Sequence, residues 1–291
     1  MQKFSFHVFY VIVWLLGWLP WYLLYLFADG IYLLVFYVIG YRKKVVLQNL
    51  SNAFPEKDDD EILTIRKKFY RHFCDLIVEI IKTIHLSAED LEKRVSFQNT
   101  EVFQELRKKG KHAICVIGHY GNWEWIATFE HYLPGFKNMT IYKTLTNRWF
   151  DKFMYDQRAK LGVEPVPMGQ ILRKIIAYDQ QGELTATGFI SDQCPPQKDI
   201  QYWTQFLNQD TPMYMGIEKI AGKFNMGVVF LYVEKPSRGH YVYHVKLLAD
   251  EVGHMEPTQI TEMHTKALED MIRKRHELWL WTHRRWKRKR Q

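Results

Sequence analysis

The sequence predicts an α/β fold, a mixed sheet with covering helices, preceded by an N-terminal membrane helix or hairpin. The amino end carries a long apolar segment, and beyond it short apolar runs of strand length alternate with stretches of helical periodicity. A chain of 291 residues suits one large domain with an appendage. We therefore divide it into an anchor, residues 1–45, and a main domain, residues 46–291.

Composition narrows the class of protein. Apolar residues make up 47% and charged residues 25%, which is typical of a globular protein and excludes a disordered chain. The net charge of +8 suits an anionic partner, either nucleic acid or an anionic membrane, and the ten tryptophans favour a lipid interface. The three cysteines are far apart without CxxC spacing, which indicates neither a disulfide framework nor a zinc site.

The first element is an uncharged run from Phe4 to Phe27, about 36 Å long as a helix and sufficient for a bilayer core of about 30 Å. Pro20 should kink or break this helix, and the next apolar stretch, Ile31 to Ile39, is too short to cross alone. A single span and a hairpin in one leaflet both remain open. Basic residues 42–44 follow and favour the cytoplasmic side, where we expect the main domain.

The next elements follow from periodicity. Apolar residues between Glu61 and His85 have the spacing of an amphipathic helix, packed on the core or in contact with a membrane. Strands are predicted at 113–118, 139–142, 184–190, 226–233 and 240–248. Helices are predicted near 122–132, 146–161, 170–179, 213–223 and 258–280. In such sheets, chemistry usually takes place at the carboxyl ends of the strands.

The first of these strand ends carries a candidate catalytic pair, His119 and Glu124. The strand runs into Gly118, the glycines allow a tight turn, and Asn122 can cap the following helix. The pair can meet only if His119 lies in the turn and Glu124 in the first helical turn. A histidine oriented by a carboxylate can act as a general base toward a hydroxyl. A purely structural histidine is the alternative.

The segment GHYGNWEW (118–125) resembles the H-x-x-x-x-D/E motif of the membrane-bound acyltransferases that complete bacterial lipid A, the late or secondary acyltransferases. This family is also similar to phosphatidylinositol mannoside acyltransferases. Further segments that resemble the family are NLSNAFPE (49–56), RAKLG (158–162), SDQ (191–193) and WLWTHRRWK (279–287). With the apolar amino end, the resemblance covers residues 10 to 287 and implies a glycerolipid acyltransferase-like fold.

The resemblance implies that His119 takes a proton from a hydroxyl of a lipid A precursor, that Glu124 orients it, and that transfer is direct, without a covalent acyl-enzyme. The implied donor is an acyl thioester of acyl carrier protein or coenzyme A, with no bound cofactor, and the implied location is the bacterial inner membrane. The absence of a Gly-x-Ser-x-Gly elbow agrees with direct transfer. Another glycolipid or a lysophospholipid as acceptor, and a non-catalytic membrane interaction protein of the same fold, remain alternatives.

Other residues complete the expected substrate-binding set. Arg158, in RAKLG, suits a phosphate or a developing oxyanion, although an exposed helix arginine explains it equally well. Asp192 is expected to hold Arg158 or to line the acceptor site, although the turn before Pro195 also accounts for it. Asn122, Arg284 and Arg285 are the remaining candidates.

The carboxyl end combines tryptophans at 279, 281 and 286 with a dense positive charge up to Arg290. Such a cluster suits an anionic membrane surface or a phosphorylated lipid. No nucleic-acid motif accompanies it, so we do not expect nucleic acid as a partner. A metal site is also not expected, because His240 and His244 would lie about 13 Å apart on a strand.

Overall fold

The uncharged amino end forms two helices, because Pro20 interrupts it. In the computed structural model, which describes residues 2–290, α1 spans Gln2–Gly17 and α2 spans Trp21–Leu33. The chain continues from α2 into a π-helical turn, Leu34–Ile39. Among the described residues, Trp21–Ile39 is the one helix long and apolar enough to cross a membrane, by length and composition only. The continuous helix predicted over 4–27 is therefore wrong, although the expected break at Pro20 is confirmed.

Both amino-terminal helices pack against helix α4, Asp59–Lys82. It begins with a capping box between Asp58 and Glu61, which satisfies exposed N–H groups at its start. Helix α2 buries Leu24 and Ala28 in the core shared with α4, while many of its outward apolar side chains stay exposed. Lys82 donates hydrogen bonds to two carbonyls left free at the break between α1 and α2. The predicted amphipathic helix is thus confirmed, and α3, Lys43–Ala53, precedes it.

The centre of the chain is a mixed sheet, as predicted, and it has seven strands. Its strands are β1 (Val95–Gln98), β2 (Ala113–Ile117), β3 (Phe136–Tyr142), β4 (Glu164–Pro167), β5 (Leu184–Ile190), β8 (Gly227–Ser237) and β9 (His240–Ala249), with β6 (Tyr202–Phe206) and β7 (Gln209–Met213) forming a separate hairpin. The order across the sheet is β1-β9-β8-β2-β5-β3-β4. The β8–β9 pair is antiparallel and the other neighbours in this sheet are parallel.

Helices cover this sheet. They are α5 (Ala88–Glu92), α6 (Glu101–Lys108), α7 (Arg148–Lys160), α8 (Ile171–Asp179), α9 (Gly216–Phe224) and α10 (Gln259–Lys274). Helix α10 packs on β8 and β9, and α8 packs on β4 and β5. All five predicted strands are found. The sequence analysis missed four strands, the β6–β7 hairpin and the four-residue strands β1 and β4, of which β4 also contains two prolines that weaken a strand pattern.

Two helix predictions need correction, and both corrections concern the site described below. The helix expected over 122–132 is a 3-10 helix, Trp125–Tyr132. The helix expected to reach residue 280 ends at Lys274; a short 3-10 helix, His276–Leu278, follows, and Trp279 then forms a β-bridge with Tyr120 in the turn after β2. The end residues of the expected two-part division, 1 and 291, lie outside the described residues.

Candidate active site

The candidate site forms where two neighbouring strands end. Strands β2 and β5 are parallel, with Ile117 paired to Ile190 at their carboxyl ends. His119 and Asp192 each follow two residues after this last pair, so the sheet register places them side by side. Gly118 allows this approach, because a Cβ there would lie 3.2 Å from Asp192 Oδ2 and 2.6 Å from a Leu268 methyl carbon.

Asp192 holds His119 by two hydrogen bonds. The Nδ1–H of His119 donates to Oδ1 over 2.6 Å, and the backbone N–H of His119 donates to Oδ2 over 2.8 Å. The imidazole Nε2 is therefore the acceptor nitrogen, and the Gln193 side-chain nitrogen lies 3.3 Å from it. The His119 side chain is 17% exposed and that of Asp192 is 2% exposed. The arrangement is that of a base whose tautomer is fixed by a carboxylate.

The charges of the pair reinforce each other. Burial lowers the pKa of His119, but the charge and hydrogen bond of Asp192, with a smaller contribution from Glu124, raise it above the ordinary value. Burial raises the pKa of Asp192, but the charge of His119 and the hydrogen bonds from His119 and Trp279 outweigh it and lower the value to about 2. Asp192 is therefore a carboxylate at neutral pH, and its charge favours the imidazolium.

The chain at residues 278–285, here called the carboxyl segment, fixes the turn that carries His119. Gly121 N–H donates to the Leu278 carbonyl, and Leu280 N–H donates to the His119 carbonyl. The indole N–H of Trp279 donates to Asp192 Oδ2 over 2.7 Å. Gly121 has φ +60°, a left-handed conformation that glycine adopts without strain. Three of the segments that resemble the family, GHYGNWEW, SDQ and WLWTHRRWK, thus meet at His119.

The sequence analysis expected Glu124 to orient His119, but in the structure Glu124 pairs with Arg158 instead. Both of its carboxylate oxygens accept hydrogen bonds from Arg158, from Nε over 2.9 Å and from Nη2 over 2.8 Å. Glu124 precedes the 3-10 helix and Arg158 lies near the end of α7. The bidentate geometry matches a guanidinium to a carboxylate and is stronger than a single hydrogen bond. Asp192 takes the orienting position because it follows the neighbouring strand.

Asn122 lies behind the turn and is fully buried. Its side-chain oxygen accepts from the N–H of Trp125 over 3.3 Å, as the expected cap does, and its amide donates to Glu79 over 2.8 Å. Glu79, from α4, also accepts from Tyr241 over 2.9 Å. These bonds support the turn from below. The burial and internal hydrogen bonds of Asn122 do not fit its place in the expected substrate-binding set.

Next to the turn is a partly open cavity, here called the inner cavity, with Glu124 and Arg158 among its lining residues. It measures 60 Å³ in its present shape. Its other lining residues are mainly apolar side chains of the sheet and the 3-10 helix: Cys115, Ile117, Ile126, Phe129, Met139, Ile141 and Leu231. Gly188, on β5, also lines it and leaves space that a larger side chain would occupy. The inner cavity suits an apolar chain, which would have to widen it by moving side chains.

A second space, here called the lateral cleft, lies between α4 and the carboxyl segment and measures 340 Å³. Its walls are mainly apolar and include Phe73, Leu76, Ile77, Ile80 and Leu280. Trp123 lines both the lateral cleft and the inner cavity, and its ring packs edge-on against the His119 ring, with centroids 5.1 Å apart. The two spaces therefore approach each other at Trp123, next to the ring of His119, although His119 itself is not among the residues that line either space.

The two carboxyl-terminal arginines of the expected set lie in different surroundings. Arg284 is exposed and, with Lys44 and the cations at 287–290, lines a surface pocket, here called the basic patch. Arg285 is fully buried, and its Nη2 donates to the Pro212 carbonyl over 2.7 Å. Arg285 is thus part of the core, and the expectation that it contacts substrate does not fit its burial.

Within the described chain, no group of three or more histidine, cysteine, aspartate or glutamate side chains is placed to hold a metal ion. The sequence analysis missed Gln193 and Trp279 as neighbours of the histidine. Both lie in segments that resemble the family, SDQ and WLWTHRRWK, and this resemblance was the available signal.

Comparison with known proteins supports the family resemblance of the segments that meet at His119. A family model described as bacterial lipid A biosynthesis acyltransferase matches residues 1–288. The curated proteins contain no match to this chain. The matched region runs from the apolar helices through His119, Asp192 and the carboxyl segment, and leaves out residues 289 and 290 of the basic patch. The chain belongs to the bacterial lipid A biosynthesis acyltransferase family.

Proposed function

We propose that the protein transfers a fatty acyl chain from an acyl thioester to a hydroxyl of a lipid A precursor, with His119 as general base. The observation that carries this proposal is the 2.6 Å hydrogen bond from His119 Nδ1–H to a buried carboxylate. It leaves Nε2 as a proton acceptor on a ring that packs against Trp123, and Trp123 lines two largely apolar spaces, one for each lipid chain. Asp192 replaces Glu124 as the residue that positions the base.

In the proposed reaction the acceptor hydroxyl gives its proton to His119 Nε2 as its oxygen attacks the thioester carbonyl. The carbon–oxygen bond forms and a tetrahedral oxyanion develops. The intermediate then collapses, the carbon–sulfur bond breaks, and the thiolate takes the proton from the imidazolium. Asp192 stabilises this imidazolium by its charge and keeps the ring in the required tautomer. No acyl-enzyme forms.

Arg158 is suited to the developing oxyanion. Glu124 occupies its Nε and Nη2, and among residues 2–290 its Nη1 has no hydrogen-bond partner. The ion pair fixes the guanidinium plane before substrate binds, and such preorganised donors stabilise a transition state more than mobile ones. Glu124 therefore acts through Arg158, as a positioning residue.

We assign the two spaces by their shape. The inner cavity is lined by the sheet and the 3-10 helix and suits the donor's acyl chain, with the thioester near Arg158. The lateral cleft is more open and suits an acceptor lipid arriving from a bilayer. The exposed apolar side chains of α1 and α2 and the basic patch favour attachment to an anionic inner membrane, with the site on its cytoplasmic side. The donor thioester is that of acyl carrier protein or coenzyme A.

The experiment uses bacterial cells that lack other late acyltransferases. The wild-type chain should add one acyl chain to the lipid A precursor, measured by mass spectrometry, and H119A should not. Membrane fractionation and thermal unfolding of both proteins establish that H119A is folded and correctly located. An unchanged acyl pattern with H119A would exclude His119 as the base. A gain in mass on another lipid would indicate a different acceptor, and no gain with the wild type would favour a non-catalytic membrane protein.

A further inference from the structure

His283 lies in the segment WLWTHRRWK and has no role in the mechanism above. Its Nε2 accepts a hydrogen bond from the backbone N–H of Cys194 over 3.2 Å. Since a backbone N–H only donates, Nε2 carries no proton, and the proton of the neutral ring lies on Nδ1. Cys194 follows directly after Asp192 and Gln193, so this bond also ties His283 to the strand end that orients His119.

His283 remains neutral over the physiological pH range. Burial lowers its pKa to about 4; Asp192 opposes this effect, whereas Arg285, His119 and Lys287 add to it. The ring is therefore a fixed neutral tautomer with one N–H donor, rather than a second base.

His283 lies at a space that can hold a ligand. Among residues 2–290, His283 Nδ1 has no hydrogen-bond partner, and His283 is one of the residues that line the lateral cleft. The cleft has few other polar side chains; one of them, Arg42, donates to the carbonyl of Thr282 over 2.9 Å. A fixed donor in a mainly apolar cleft orients a bound lipid strongly, because most of the surrounding wall offers the lipid no hydrogen bond.

We propose that His283 is an acceptor-binding residue, whose Nδ1–H donates a hydrogen bond to an oxygen of the acceptor lipid and so places its hydroxyl at His119. This inference rests on the proposed function and on the assignment of the lateral cleft to the acceptor. His283 then determines the specificity for the acceptor and does not affect binding of the donor thioester. Trp123, between the lateral cleft and the ring of His119, sets the route along which the hydroxyl reaches the base.

Two matched variants separate the two nitrogens. In H283Q the side-chain oxygen can accept from Cys194 N–H at the position of Nε2, but the donor at the Nδ1 position is lost. In H283N the amide N–H can replace the Nδ1 donor, but the acceptor for Cys194 is lost. The contact within the protein is retained in the first variant, and the contact with the lipid is retained in the second.

The measurement is steady-state kinetics with a purified lipid A precursor and a fatty acyl thioester, each varied in turn, together with thermal unfolding. We expect kcat/KM for the acceptor to fall about tenfold in H283Q, the order expected for one lost hydrogen bond. The KM for the donor should not change in this variant. H283N should recover most of the acceptor kcat/KM.

Wild-type acceptor kcat/KM in H283Q would overturn the inference, and so would equal losses in the two variants when both are folded. An equal change in donor and acceptor KM would also overturn it. If H283N unfolds below the assay temperature, the acceptor-to-donor selectivity of H283Q decides alone. The proposed function fails separately: it requires an active wild type and an inactive H119A, whatever the result at His283.

Discussion

Replacement of Asp192 by asparagine tests the assignment of the base most directly. Oδ2 of Asp192 accepts from two fixed donors, the backbone N–H of His119 and the indole N–H of Trp279. The amide oxygen of D192N must take this position, because an NH2 group there would face both donors. The NH2 group then points at His119 Nδ1, which has to become the acceptor. The proton moves to Nε2, and the ring can no longer take a proton from the hydroxyl.

The expected loss is large. A wrong histidine tautomer in a catalytic triad lowers kcat by about 10⁴-fold, which corresponds to about 5.5 kcal/mol of transition-state stabilisation. The assay is single-turnover transfer of a labelled acyl chain to the lipid A precursor, so that chemistry is measured apart from product release. Unfolding temperature and membrane location should be measured for D192N, because it also removes a buried charge.

E124Q is the matched comparison. It keeps the size of the side chain and one acceptor for Arg158, but it loses the bidentate charge pairing that holds the guanidinium. We expect kcat to fall by about 10²-fold, the lower range for a weakened oxyanion donor. A larger loss in E124Q than in D192N, with both proteins folded, would refute the geometric reasoning and support Glu124 as the partner of His119.

Further predictions concern pH, stability, chain length and membrane binding. Activity should fall with decreasing pH as His119 is protonated, on a limb above the ordinary imidazole value of about 6.5, because its pKa is raised; a limb below that value would contradict the raised pKa. Because the pKa of His119 is raised in the folded protein, its protonated pair with Asp192 adds stability below about pH 6.5, and this stability is lost as pH rises through the folded-state pKa. D192N should therefore lower the free energy of unfolding more at low pH than at high pH. Chemical denaturation of both proteins at the two pH values measures the difference. G188L should shorten the preferred donor chain by filling the inner cavity, whereas G222L, at a helix position with open space, should not; identical chain-length profiles by mass spectrometry would contradict this assignment. Deletion of residues 287–291 should weaken binding to anionic vesicles most at low salt, and equal binding at every ionic strength in a sedimentation assay would exclude an electrostatic role.

Local patterns were sufficient for much of the fold. The strands at β2, β5, β8 and β9 are short apolar runs between turn residues, and the structure places them within a few residues of the predicted bounds. Helix α4 follows from its apolar periodicity and its capping residues. The break at Pro20 follows from the chemistry of one residue. What periodicity did not reveal was that a second helix, over 21–39, would be the longer apolar one.

The candidate site shows where local reasoning ends. Spacing within one motif placed His119 and Glu124 on the same corner, and a partner five residues away is the natural first choice. In the structure Glu124 forms an ion pair with Arg158, and this pair joins the start of the 3-10 helix to α7 across 34 residues. Likewise, the burial of Arg285 and the exposure of Arg284 depend on how the carboxyl segment crosses the β6–β7 hairpin, which neighbouring residues in a basic run do not indicate.

The sequence by itself determined the apolar helices, the alternation of strands and helices, the turn that carries His119 and the resemblance to a family, because each depends on residues close together in the chain. Only the tertiary structure decided that Asp192 is the partner of His119. Those residues are 73 positions apart. They meet because β2 and β5 are neighbours in register, and strand order results from long-range packing of the whole sheet, which no short motif encodes.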